Sequence, residues 1–159
     1  MTTTENVTEL PSAVHIGDSD CPWVDSGMGF ELKVVQIDVP QGLWVVRNRF
    51  DPGVRIQTHR HTGPVYAFTL AGAWKYEESP ETNRAGSFLF EPAGSQHTLI
   101  VPEDNTEVTD VWFAVWGANL NLDADGNVES VFDASFILDG YLMLCEAAGL
   151  PEPNVLVNR

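Results

Sequence analysis

From Gly29 to Gly117 the chain repeats one texture: a short run of β-branched and aromatic residues, a cluster of turn formers, then another run. The runs are Lys33–Val39, Gly42–Phe50, Val54–His61, Val65–Gly72, Trp74–Glu78, Ser87–Glu91, His97–Val101 and Val108–Trp116. Pro40-Gln41-Gly42, Asp51-Pro52-Gly53, Thr62-Gly63-Pro64, Ser79-Pro80, Pro92-Ala93-Gly94 and Pro102-Glu103-Asp104 punctuate them. Pro fixes φ and Gly supplies φ > 0, so each cluster turns the chain back on itself. Short strands with turns this frequent predict an all-β antiparallel sandwich or barrel. The tail departs from this texture. Asp133 is placed to cap a helix over about 134–148, with Ile137, Tyr141, Leu144, Cys145 and Ala148 on one stripe. Gly149 and Pro151 would end it. Asn119–Ser130 predicts a hairpin around Asp125-Gly126, because its D-x-D-G lacks the acidic spacing of a calcium loop.

Composition bounds the partners. With 159 residues, 43% of them hydrophobic, the chain can build one domain with its own core. We expect a polar N-terminal arm over 1–28 and a single domain over 29–159. Lys and Arg number 8 against 23 Asp and Glu, a net charge of −15, which argues against nucleic acid as a partner. No apolar run approaches the ~20 residues that span a bilayer, so no membrane association is expected. MTTTENVTEL lacks the basic and apolar regions of a secretory signal, and Cys21 and Cys145 stand too far apart in sequence to suggest a disulfide scaffold. The expected location is therefore cytoplasmic.

Three of the four histidines, His59, His61 and His97, fall in the central region; His15 lies in the arm and is expected to face solvent. His59 and His61 are two apart on a predicted strand, so both project from one face. Two imidazoles facing a barrel interior would leave ring nitrogens unsatisfied, and a divalent metal takes one nitrogen from each. A third histidine from a neighbouring strand would complete a facial set with open positions. The alternative is an exposed His-x-His with His97 unrelated to it.

The surroundings of these histidines resemble the two cupin motifs. Gly53, His59, His61 and Gly72 match G-x5-H-x-H-x3,4-E-x6-G, and Gly86, Pro92, Gly94 and His97 match G-x5-P-x-G-x2-H-x3-N. The resemblance implies a small double-stranded β-helix (jelly-roll) barrel with a C-terminal helix and a metal inside one end. Two positions depart from it: Val65, or Tyr66 in the longer spacing, stands where the pattern has its glutamate ligand, and Val101 where it has asparagine. Three neutral imidazoles would leave a divalent ion its full charge, which favours an anionic chelating substrate. Within the cupins, H-R-H-x-G-P-V, T-L-x-G-x-W-x-Y and A-G-S-x-x-x-E-P-A-G-x-x-H-T-L resemble the 2,4'-dihydroxyacetophenone and acetylacetone-cleaving dioxygenases.

That resemblance implies Fe(II) on His59, His61 and His97, with a small ketone and O2 as substrates; Zn, Ni or Mn are the alternative metals. It also implies a glutamate of the Trp74–Glu78 strand at or beside the metal, with Glu78 the nearest match. The competing view of Glu77-Glu78 is a solvated strand end. Strand alternation aims Gln57 the same way as His59 and His61, as a hydrogen-bond donor to bound substrate or O2. Arg47 and Arg49 share a face and would either anchor an anionic substrate or pair with the acid excess. Tyr66, Phe68, Phe88, Phe90, Trp112, Phe113 and Trp116 are expected mostly in the core. The same group contains zinc-binding anti-sigma-factor domains, so the alternative function is a non-catalytic zinc cupin acting as sensor or interaction domain. Small cupins imply a homodimer or homotetramer.

Overall fold

The computed structural model describes residues 11–159. Fourteen strands precede or follow one helix: β1 (Val24–Asp25), β2 (Phe30–Asp38), β3 (Leu43–Phe50), β4 (His59–His61), β5 (Val65–Ala71), β6 (Ala73–Tyr76) and β7 (Asn83–Arg84). Then come β8 (Phe88–Glu91), β9 (Gln96–His97), β10 (Leu99–Ile100), β11 (Thr109–Trp116), β12 (Asn119–Leu122), β13 (Val128–Phe132), α1 (Ala134–Ala147) and β14 (Leu156–Asn158). A seven-stranded sheet runs β1-β2-β3-β11-β5-β8, with β14 added parallel to β2. A three-stranded sheet, β10-β6-β7, and a four-stranded one, β13-β12-β4-β9, complete the all-β architecture.

Two apolar clusters join these layers. Phe50, Ala67 and Val111 from the large sheet pack with Trp74 of β6 and Leu99 of β10. At the other end, Val34, Ile37, Trp44 and Val46 pack with Leu138, Tyr141 and Cys145 of the helix. Full burial of each large side chain there contributes about 1.5–3 kcal/mol. The helix begins where expected, with the Asp133 carboxylate accepting the Phe136 amide at 2.8 Å. Its buried stripe is Ala134, Leu138, Tyr141 and Cys145, rotated by about one residue from the predicted one. The Asp125-Gly126 hairpin forms as predicted, with Asp123 accepting the Asp125 and Asn127 amides.

Of the expected arm, residues 1–10 lie outside the described residues. His15 is exposed, while Cys21 and Val24 are buried. The Trp23 ring lies over Arg49 at 4.0 Å and Lys33 at 4.9 Å, and Asp18 pairs with Lys33 at 3.0 Å. The Tyr141 hydroxyl donates to the Pro22 carbonyl at 2.6 Å, tying this segment to the helix.

Three differences from the sequence reading bear on the site. The Val54–His61 run is a strand only from His59 to His61, with Arg55 bridging Ile100 alone. The His97–Val101 run divides at Thr98, because β9 pairs β4 while β10 pairs β6. A chain that changes sheets must break its ladder at the corner, and the Thr98 amide freed there donates to Glu78 at 3.0 Å. Third, β5 turns Val65, Ala67 and Thr69 inward and Tyr66, Phe68 and Leu70 outward. Phe88 and Phe90 of β8 also face out. The interior beside β5 is already occupied by Trp74 and Phe50, so only small side chains fit on that wall.

Candidate metal centre

The site is built by turns as much as by strands. Gly94 (φ +84°) closes the Pro92-Ala93-Gly94 corner that returns the chain toward His97, and its amide donates to the His61 carbonyl at 2.7 Å. Gly72 (φ +73°) ends β5, and a Cβ there would lie 2.5 Å from the Thr109 Cα. The motif glycines therefore serve backbone geometry.

The corner sets His97 directly across from His59 in the β4–β9 ladder. His59 and His61 project from one face of β4, as their spacing predicted, and all three histidines are buried. Their ligand atoms lie within 4.8 Å of one another. The Nε2 atoms of His61 and His97 are 3.1 Å apart. His59 Nδ1 lies 2.8 Å from the Gln57 carbonyl; as donor to that oxygen it leaves the Nε2 lone pair free. Burial pushes the His59 imidazole down to about 4, so it is neutral and able to ligate at neutral pH. Tyr76 stacks on His97 with ring centroids 3.8 Å apart and planes 12° from parallel, which fixes the ring orientation.

A fourth group joins them, one that the sequence reading missed. Glu91, only 3% exposed, places Oε2 2.9 Å from His61 Nε2 and 3.2 Å from His97 Nε2. Its Oε1 accepts the Tyr76 hydroxyl. Oε2 has no hydrogen-bond partner among the described residues, and neither does His61 Nδ1. Burial raises the Glu91 carboxyl, but the His61 and His97 imidazoles outweigh it and hold the group well below the usual carboxylate range. Glu91 is the cross-strand partner of Val65, so both share one face. The position where the motif glutamate is missing is thus met from the next strand.

The three histidines converge as a metal-binding group, and Glu91 stands at ligand spacing from two of them. Ligands about 2.0–2.1 Å from a metal lie roughly 2.9–3.4 Å from one another, which the spacings among His61, His97 and Glu91 match. A buried carboxylate oxygen without a proton donor is otherwise costly.

The structure places the other predicted residues elsewhere. The Gln57 side chain is exposed, and its amide donates to the Leu122 carbonyl at 2.8 Å and to Glu129 at 2.6 Å. Glu78 is exposed and holds the Thr98 amide beside His97; neither side chain joins the converging ligand atoms. Partial burial raises the Glu78 carboxyl, while hydrogen bonds from Thr98 and its own backbone and the charge of His97 lower it further than burial raises it. Arg47 grips Asp110 at 2.7 and 2.8 Å on the outer face of the large sheet, and Arg49 leans on the same carboxylate. The acid excess, not a substrate, occupies both arginines.

An all-β barrel of this topology with three histidines converging inside defines a metal-binding cupin. The chain belongs to the ChrR cupin-like domain family, whose model matches residues 11–113. A cupin-like protein of unknown function from Ralstonia eutropha JMP134 superposes with a TM-score of 0.87 at 28% identity, over 96% of this chain and 97% of that one. An RmlC-like cupin from the same organism gives 0.85 at 26% identity, over 92% and 95%. An acetylacetone dioxygenase from Acinetobacter johnsonii gives 0.72 at 16% identity, over 91% and 99%, a likeness of fold alone. No curated protein matches the chain. No described helix is long and apolar enough to cross a membrane.

Proposed function

We propose that this chain is an Fe(II)-dependent dioxygenase that cleaves a carbon–carbon bond of a small enolisable ketone, a β-diketone or a hydroxyacetophenone, with O2. The observation that carries this reading is the orphaned Glu91 Oε2 aimed between the ring nitrogens of His61 and His97. His59, His61 and His97 hold the metal as neutral donors, and Glu91 supplies one negative charge. Such a set reduces a divalent ion to a net charge of +1, which a monoanionic enolate neutralises. Bound iron would supply chelation of the enolate and reaction with O2 at positions the protein leaves open. Tyr76 holds the Glu91 carboxylate and the His97 ring in register through one hydrogen bond and one stacking contact. Val65, Ala67 and Trp74, on the interior side of β5 and β6, are buried and apolar, so the surroundings of the donors have low polarity, which strengthens the electrostatic interactions of a bound ion. The fold shared with the Acinetobacter acetylacetone dioxygenase is consistent with this chemistry. Oxygen uptake by anaerobically iron-loaded protein, assayed across β-diketones and hydroxyacetophenones, tests it. Uptake matched to ketone consumption is expected; metal-loaded protein inert across the panel would refute it.

The same Glu91 supports a second reading. Three imidazoles and one carboxylate are the number and kind of donors that a closed tetrahedral zinc site uses, and a zinc held by all four would leave no position for substrate. The protein would then be a non-catalytic zinc cupin acting as a sensor or interaction domain. Ligand counting separates the two: four protein ligands and no exchangeable water favour zinc, and open positions favour iron.

A further inference from the structure

The three imidazoles of the candidate metal centre are not held alike. His59 Nδ1 lies 2.8 Å from the Gln57 carbonyl, and the His97 ring stacks on Tyr76. His61 has neither support. Its Nε2 faces Glu91 Oε2 at 2.9 Å and His97 Nε2 at 3.1 Å, which leaves Nδ1 on the side of the ring away from the ligand atoms. Four buried side-chain polar atoms have no hydrogen-bond partner among the described residues: Glu91 Oε2, His61 Nδ1, Asn119 Oδ1 and Ser95 Oγ. The first belongs with the metal. The other three sit on His61 and its two cross-strand neighbours. Asn119 of β12 is the partner of His61 in the β4–β12 ladder. The Thr62 amide donates to the Ala118 carbonyl at 3.0 Å, which makes His61 and Asn119 a non-hydrogen-bonded pair. In such pairs the Cα atoms stand ~4.5 Å apart and the side chains come closest. On the opposite flank the His59–His97 register continues to Ser95, whose carbonyl accepts the His61 amide at 2.9 Å.

We infer that Asn119 and Ser95 are positioning residues for His61: their oxygens hold a proton on its Nδ1, so that Nε2 presents its lone pair to the metal. The chemistry requires such a partner. A neutral imidazole that ligates through Nε2 carries its hydrogen on Nδ1, and a buried N–H left unpaired is costly. The two unpartnered atoms beside it are an amide oxygen, which accepts, and a hydroxyl, which both donates and accepts. Neither bonds Nδ1 directly. One water that accepts from Nδ1–H and donates to Asn119 Oδ1 and Ser95 Oγ satisfies all three atoms at once, and about three hydrogen bonds is the usual complement of a buried water. His59 and His61 thus reach the same tautomer by different routes. One uses the backbone two residues before it, and the other uses side chains from the strands on either side. Both positioning residues act through His61, on the side of its ring away from the metal. The inference rests on the metal assignment above and holds for iron and zinc alike.

Isothermal titration of the metal-free, full-length chain with Zn(II) tests this. Asn119→Leu should bind zinc about tenfold more weakly than the native chain, and Asn119→Leu/Ser95→Ala about a hundredfold more weakly. Asn119→Asp keeps an acceptor oxygen in place and should stay close to native. Nuclear magnetic resonance of the zinc-loaded native chain gives a readout that does not depend on any variant's folding. The Nδ1–H proton of His61 should be resolved and slow to exchange with solvent, and in Asn119→Leu it should exchange several-fold faster. A native chain that takes up no zinc would overturn the metal assignment and this inference with it. Three results would overturn this inference alone: native affinity in Asn119→Leu, equal losses in the leucine and aspartate variants, or a rapidly exchanging Nδ1–H on a zinc-bound His61.

Discussion

The two faces of the β5–β8 pair invert the usual rule of burial. Inside stand Val65, Ala67, Thr69 and Glu91; outside stand Tyr66, Phe68, Leu70, Phe88 and Phe90. Ranking residues by hydrophobicity would assign the aromatics to the core. The interior face instead serves the site: it takes small side chains because Trp74 and Phe50 occupy the space, and it accepts one carboxylate where Glu91 meets the ring nitrogens of His61 and His97. A strand pair can thus be patterned by what its interior must hold, and its apolar surplus then becomes available for contact outside.

The histidines of β4 and β9, which the inner face meets through Glu91, should respond to pH first. Burial depresses His59 to about 4 in the folded metal-free chain, against 6.5 when unfolded. The stability tied to its neutral form is therefore complete above pH 6.5 and is lost as pH falls through 6.5 toward 4, by about 3 kcal/mol at most. Thermal melts of metal-free protein should show this slope, and a His59→Gln variant should lack most of it. A flat native profile would mean that the ring is not buried as described.

A cross-strand exchange comes next. Glu91→Val should weaken metal binding by about a hundredfold, or about 2.7 kcal/mol. Adding Val65→Glu to that variant should restore at least about tenfold, since both positions share one face. Isothermal titration with Zn(II) reads both, and failure of the exchange would show that the faces are not equivalent at this end of the pair. Ala67→Leu, an enlargement on the tight inner wall, should lower stability by about 1–3 kcal/mol in denaturant titration. Phe68→Ser, one residue along but outward, should cost less than about 0.5 kcal/mol when measured on dilute, monomeric protein. If the two substitutions cost the same, the contrast between the faces fails.

Much of this was legible in the sequence. Turn chemistry gave the strand count its punctuation, and Asp133 and Gly149 bounded the helix. The His59-x-His61 spacing placed two imidazoles on one face, and the motif glycines placed His97 across from them. What remained hidden was strand parity on β8. Phe88 and Phe90 face out, which turns Glu91 inward, whereas the family resemblance pointed to Glu78 as the carboxylate. Glu78 instead holds the corner at Thr98 where the chain changes sheets, a contact that strand alternation cannot anticipate. Gln57 was read as part of a continuous strand, but regular pairing begins only at His59, so its side chain follows a local path to Leu122. The available signal lay on β5: small residues alternate there with aromatics, and Val65, at the inward motif position, is in step with Ala67 rather than Tyr66.

The central claim is that His59, His61 and His97 form one metal site with Glu91 beside them. Metal analysis of the native chain and a His61→Ala variant, purified side by side without added metal, tests it most directly. The account predicts about one divalent ion per native chain and almost none in the variant. Equal metal content in the two proteins would contradict it.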